Sequence, residues 1–194
     1  TAYCFQITEQ GLLQHLHYGP GMDLTSGWEA LVPQVRHAPG NGAVLDGVVL
    51  EDMALETSAP GLGDLREPFV VVDTPSGSPV DFRFVQANLL PEKPELAGLP
   101  SATAGGETLE ITLADRRSEL LLTLRYTAFD HCDVITRQAL LTNTGNQSVT
   151  VRRLMSNQVD LHSQDFLFTT FNGAWAREFE PTDTPCGPGA VISG

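Results

Sequence analysis

ELLLTLRYTAF, residues 119–129, alternates with a period of two. Leu120, Leu122, Leu124 and Tyr126 fall on one side of an extended chain, and Leu121, Thr123, Arg125 and Thr127 on the other. Successive side chains of a strand point to opposite faces, so this is a strand with one buried and one wetter face, the habit of antiparallel sheets. TLEITLA (108–114) does the same, with Leu109, Ile111 and Leu113 set against Thr108, Glu110 and Thr112. Further out, DVITRQALL (133–141) and SVTVRRLMS (148–156) continue the pattern on either side of TNTGNQ (142–147), whose Asn and Gly tolerate a hairpin turn. AYCFQI (2–7), GLLQHLHY (11–18), PFVVVD (68–73), VDFRFV (80–85) and DFLFTTF (165–171) are strand-like too.

Gly and Pro punctuate these runs at HAPGNG, SAPGLG, DTPSGSP and PEKPELAGLP. The nearest approach to a helical stripe is SGWEALVPQV (26–35), which Pro33 would end. The chain is therefore predicted to be all-β: one large antiparallel β-sandwich of ten or more strands over residues 1–194. Leu109, Ile111, Leu113, Leu122, Leu124, Ile135 and Leu154 are expected inside it. Residues 20–50 carry the weakest pattern, a Gly-rich loop longer than compact domains usually allow.

The charge balance narrows the functions. With 24 Asp+Glu against 11 Lys+Arg, the formal net charge is −13. A surface that negative repels phosphate backbones and anionic headgroups, so neither nucleic acid nor membrane is an expected partner. A neutral sugar is indifferent to the same field. No apolar run is long enough to span a bilayer, and no basic-then-apolar leader opens the chain. Cys4, Cys132 and Cys186 show no CxxC spacing, which fits reduced thiols in a cytoplasmic protein better than one disulfide.

Candidates for chemistry are few. His15 and His17, at i and i+2, could aim both imidazoles at a metal, but no third ligand lies near in sequence, so partly exposed strand histidines are expected instead. GLGDLREP (61–68) offers Asp64, Arg66 and Glu67. There Asp64 is expected to close an Asx turn and Arg66 to make an ion pair. No nucleophile elbow, phosphate loop or dinucleotide fingerprint is present. Trp175, in FNGAWAREFE (171–180), either packs a core or presents a flat indole outward.

Read in order, GLLQHLHYG, GLGDLREPFVV, KPELAGLPSAT, the run LTLRYTAFDHCDVITRQALLTNTG, RLMSNQVDL and NGAWAREFEP resemble the N-terminal domain of glycoside hydrolase family 36, the bacterial α-galactosidases. The resemblance runs from residue 3 to the last residue and implies the same large β-sandwich. It implies a (β/α)₈ barrel following this chain and carrying both catalytic carboxylates. No catalytic residue, metal or cofactor is then expected within residues 1–194. The implied partners are a galactoside substrate, the chain's own barrel and further copies in a homo-oligomer.

The resemblance also places Trp175 on a tryptophan that lines the sugar pocket at the domain boundary, where an indole can stack on the C–H face of galactose. Arg177 and Glu178 are expected to form a local ion pair or domain contact. In tetrameric relatives the loop after YG brings an Asp and an Arg to a neighbouring active site. Here VPQVRHAPGNGAVLDG offers Arg36 and Asp46 without an alignable match. Two other readings stand beside this one. A free-standing carbohydrate-binding module would use Trp28 and Trp175 as platforms and saturate with galactose or raffinose. A purely structural oligomerisation domain would show a stable assembly in light scattering without ligand.

Overall fold

The computed structural model describes residues 1–32, 44–45, 48–58, 61, 64, 66–77, 79–102, 106–129, 131–160 and 165–187. Pro33, Arg36, Asp46 and the rest of residues 33–43 and 46–47 of the 20–50 loop lie outside them. The backbone gathers into two compact units, Thr1–Asp160 and Leu161–Gly194, and each is described by itself. The described residues hold twelve strands and two one-turn 3₁₀ segments, Trp28–Leu31 and Leu50–Asp52. Of SGWEALVPQV, the described residues 26–32 supply only the first of those turns, and the described residues are all-β.

In the first unit the centre is a four-stranded antiparallel sheet of β6 (Phe82–Leu90), β7 (Glu107–Asp115), β8 (Leu120–Phe129) and β9 (Val134–Asn143), in that order. Its register lines up the apolar faces seen in the sequence. Leu122 lies between Leu113 and Leu141, and Leu124 between Ile111 and Ala139. Directly opposed side chains on one face are the unit of sheet stability, and here the stripe runs across three strands.

A second layer is broken into two-stranded pieces. β1 (Ala2–Ile7) pairs with β2 (Leu13–Gly19), and β5 (Val70–Asp73) with β10 (Thr150–Leu154). Leu13 of β2, Val70 and Val72 of β5 and Ile111, Leu113, Leu122 and Leu124 of the large sheet share one buried cluster around Phe69. β-Sandwich cores form in this way, from the inner faces of two sheets. A short hairpin, β3 (Val44–Leu45) with β4 (Val48–Val49), completes the unit. Beside it Leu12, Leu50, Met53 and Leu55 form a second small core.

Three expectations need correction. TNTGNQ does not close a hairpin: β9 pairs with β8, and β10 crosses to β5 in the other layer. The alternation in both strands was real, but the choice of partner is non-local and period two does not encode it. Ile135, at the margin of β9 opposite exposed Ala128, is only half-buried and lies outside the core cluster. Leu109 and Leu154 are also partly exposed, although they pack against the core from its rim.

The second unit is a ribbon of β11 (Leu167–Ala174) and β12 (Arg177–Pro185). Opposed pairs Leu167–Pro185, Thr169–Asp183 and Phe171–Pro181 share one face, and Phe168–Thr184, Thr170–Thr182 and Asn172–Glu180 the other.

Candidate functional site

Trp175 occupies the turn of that ribbon, between Ala174 and Arg177, which pair across it. The next residue, Ala176, takes a left-handed φ of 63° and reverses the chain within two residues. A bulge between Asn172 and Ala174 twists the ribbon just before the turn. The outcome is an indole with 95% of its surface exposed. Trp175 therefore packs no core in this chain. Arg177 and Glu178 do not pair with each other, because consecutive strand residues point to opposite faces. Glu178 instead accepts a hydrogen bond from the Ala176 N–H (3.2 Å). Trp28, the other tryptophan, is 40% exposed on its 3₁₀ turn.

The first unit holds a buried polar hub that the strand pattern does not encode. Glu56 has no exposed surface. It accepts hydrogen bonds from Tyr3 Oη (2.8 and 2.9 Å) and Tyr126 Oη (2.7 Å), and His15 Nδ1 stands 2.9 Å from Oε1. Arg137 brings Nη1 to 3.4 Å from Oε2 and donates through Nη2 to the Glu56 carbonyl (2.7 Å). The same guanidinium lies over the rings of Phe69 and Tyr126, at 5.4 and 5.3 Å. An isolated buried carboxylate would be very costly, and these donors are what offsets it. The only local hint was MALETS (53–58), a lone acid inside a short apolar run.

The hub assigns His15. It is 2% exposed and bound to Glu56, while His17 reaches the Pro20 carbonyl at 3.2 Å. The expected strand histidines are present, except that His15 is wholly buried rather than surface-lying. Among the described residues no three His, Cys, Asp or Glu side chains converge to hold a metal ion. Asp64 closes an Asx turn on the Arg66 N–H (3.0 Å) and receives Nε and Nη2 of Arg66 at 3.0 and 2.9 Å. Arg66 also reaches Asp160 (2.9 Å) and the carbonyls of Leu50 and Met53. Glu67 pairs with Arg153. These groups are thus engaged with one another and with the backbone inside the first unit.

Residues 157–160 act as a clasp. Asp160 accepts from the Leu55 N–H (3.3 Å), Gln158 from Ser58 N and Oγ (both 3.0 Å), and Asn157 from Arg137 (2.7 Å).

The hub has a measurable pH signature. Burial pushes both Tyr3 and Tyr126 above the ordinary phenol value of 10.0, and the Glu56 charge pushes them further the same way. The folded chain therefore keeps two protons that the unfolded chain releases. Stability from these groups is complete below pH 10.0 and is lost as the pH rises beyond it. Urea midpoints taken upward from pH 8 should fall beyond about pH 10, and Tyr126→Phe should flatten that fall. A midpoint indifferent to alkali in the unmodified chain would contradict the hub.

Comparison with known proteins agrees with this architecture. Residues 11–193 match the model of the glycosyl hydrolase family 36 N-terminal domain, and the chain belongs to that family. It is 33% identical over 183 residues to the α-galactosidase AgaA of Geobacillus stearothermophilus, covering 91% of this chain and 25% of that protein. Against α-galactosidase 1 of Pediococcus pentosaceus it is 30% identical, over 93% of this chain and 26% of that one. The crystal structure of the Lactobacillus brevis α-galactosidase superposes with a TM-score of 0.86 at 29% identity, over 96% of this chain and 26% of that one. A Geobacillus AgaA variant solved with stachyose gives a TM-score of 0.84 at 30% identity, over 94% and 26%. The chain thus spans about a quarter of the length of these relatives.

Proposed function

We propose that this chain is the non-catalytic N-terminal domain of a retaining α-galactosidase that releases terminal α-linked galactose from oligosaccharides of the melibiose and raffinose type. The observation that carries this reading is the family match over residues 11–193, on an all-β fold that the residue pattern predicts independently. In the parent enzyme both carboxylates, the nucleophile and the acid/base, lie in the barrel. A double displacement on them retains the anomeric configuration. The sandwich supplies stability, subunit contacts and one wall of the sugar pocket.

Trp175 is that wall. Its exposed indole on a two-residue turn suits stacking against the apolar face of galactose, which needs no charge. In the full-length enzyme Trp175→Ala should remove about 0.5–1.5 kcal/mol of aromatic contact. The corresponding fall in kcat/KM is roughly threefold to tenfold. Equal contact in ground and transition states would place the fall mainly in KM. The chain alone should leave a nitrophenyl α-galactoside untouched. Unchanged kinetics in the Trp175 variant would remove the indole from the pocket, and hydrolysis by residues 1–194 alone would overturn the division of labour.

A further inference from the structure

At one end of the first unit the β5–β6, β7–β8 and β9–β10 connections enclose a cleft of about 200 Å³. Buried Leu120 and half-buried Val149 line it with apolar surface, and the exposed residues Arg117, Glu119 and Gln147 line it with polar groups. The three connections are braced against one another. Arg117 donates through Nη1 to the Pro79 carbonyl (3.1 Å), and Thr144 donates through its N–H and its Oγ1 to the Glu119 carbonyl (both 2.8 Å). Asn143 closes an Asx turn on the Gly145 N–H (3.0 Å) and donates through Nδ2 to the Gln147 carbonyl (2.8 Å). The cleft is therefore formed before any ligand arrives. Gly145 packs directly on the Glu119 side chain, where a methyl group would collide with Oε2.

The side chains are less engaged than the backbone. Among the described residues the Glu119 carboxylate and the Gln147 amide have no hydrogen-bond or ionic partner, and Arg117 does not pair with Glu119 although both line the cleft. A carboxylate only accepts, a guanidinium only donates, and an amide does both. A small cation would meet the Arg117 charge here and an anion that of Glu119, while the net charge of −13 repels anions further. A neutral polyol meets neither penalty. Adjacent hydroxyls of one ring can donate to Glu119 and accept from Arg117, and the C–H surface of the ring suits Leu120 and Val149. The volume lies below the roughly 300–1,000 Å³ of sites for drug-sized ligands, which leaves room for one ring rather than a chain of them. We propose that this cleft is a binding site for a single pyranose ring of a neutral sugar. Only the choice of galactose as that sugar rests on the function proposed above.

The test uses the full-length enzyme and galactose itself. Hydrogen exchange read by mass spectrometry should show growing protection over residues 116–120 and 143–149 as galactose is added. Glu119→Ala and Gly145→Ala should each raise the galactose concentration for half-protection by about tenfold or more, the scale of one lost hydrogen bond to a charged group. Glu119→Gln, which keeps an acceptor oxygen, should raise it less. Neither alanine variant should lower the melting temperature, so lost protection reads as lost binding. Absence of protection at these residues in the unmodified enzyme would overturn the proposal, as would full protection surviving in both alanine variants. Glycine, a zwitterion able to pair with both charges, should not displace galactose; if it does, the sugar assignment falls. Hydrolysis of a nitrophenyl α-galactoside is measured on the same unmodified sample. An inactive enzyme that still shows the protection would sink the α-galactosidase reading and keep the cleft, and an active one without it would do the reverse.

Discussion

Glu56→Ala should cost about 3–5 kcal/mol of folding stability, the range for removing one partner of a buried charged pair. The loss comes less from bonds broken than from what stays behind. Arg137, 7% exposed, would keep a buried positive charge without its carboxylate, and the hydroxyls of Tyr3 and Tyr126 would lose their acceptor. His15, at 2% exposure, has no water to turn to. Against a typical domain stability of roughly 5–15 kcal/mol, that is a large fraction of the whole. Glu56→Gln should cost less, because its amide oxygen still accepts while its NH₂ faces donors. Urea denaturation of the three proteins measures the difference. A loss below about 1 kcal/mol in the alanine variant would mean that the hub is no structural centre.

Leu122→Ala should come close behind, at about 2–5 kcal/mol, from lost transfer energy and an uncollapsed cavity. Leu122 has no exposed surface and sits between Leu113 and Leu141 in the middle of the large sheet, where neighbours on both sides are fixed by the ladder. Ile135→Ala provides the contrast. It is half-buried outside the core cluster, so its loss should be clearly smaller in the same urea titration. Equal costs at the two positions would contradict the placement of the core.

The strands were legible because their signal is local. ELLLTLRYTAF carries its inner and outer faces within eleven residues, and β8 buries Leu120, Leu122, Leu124 and Tyr126 as the pattern requires. Pairing was less legible. Nothing in SVTVRRLMS says that β10 should cross to β5, because that choice rests on side chains such as Phe69 far along the chain. Beyond the lone acid in MALETS the hub was not legible: Glu56 meets partners 41 to 81 residues distant, and no spacing rule reaches across such gaps. Asp64 and Arg66 stood the other way, since an Asx turn and an ion pair two residues apart are written in the local order. Trp175 could be marked as a residue of interest from sequence, but its exposure follows from a bulge and a left-handed alanine that the letters do not announce.

The clasp at residues 157–160 sets a schedule for synthesis. Leu55, Ser58, Arg66 and Arg137 all wait for Asn157, Gln158 or Asp160 to complete their bonds. Asp160 follows Leu55 by 105 residues, so at roughly 5–20 residues per second a ribosome takes about 5–20 s to pass from one to the other. Through that interval the nascent chain can assemble the hairpins of the large sheet, whose partners are close in sequence. It cannot yet complete the bonds of Leu55, Ser58 and Arg66. Completion of the sandwich is therefore tied to translation passing residue 160, and a slow codon placed just before it would lengthen the time spent open.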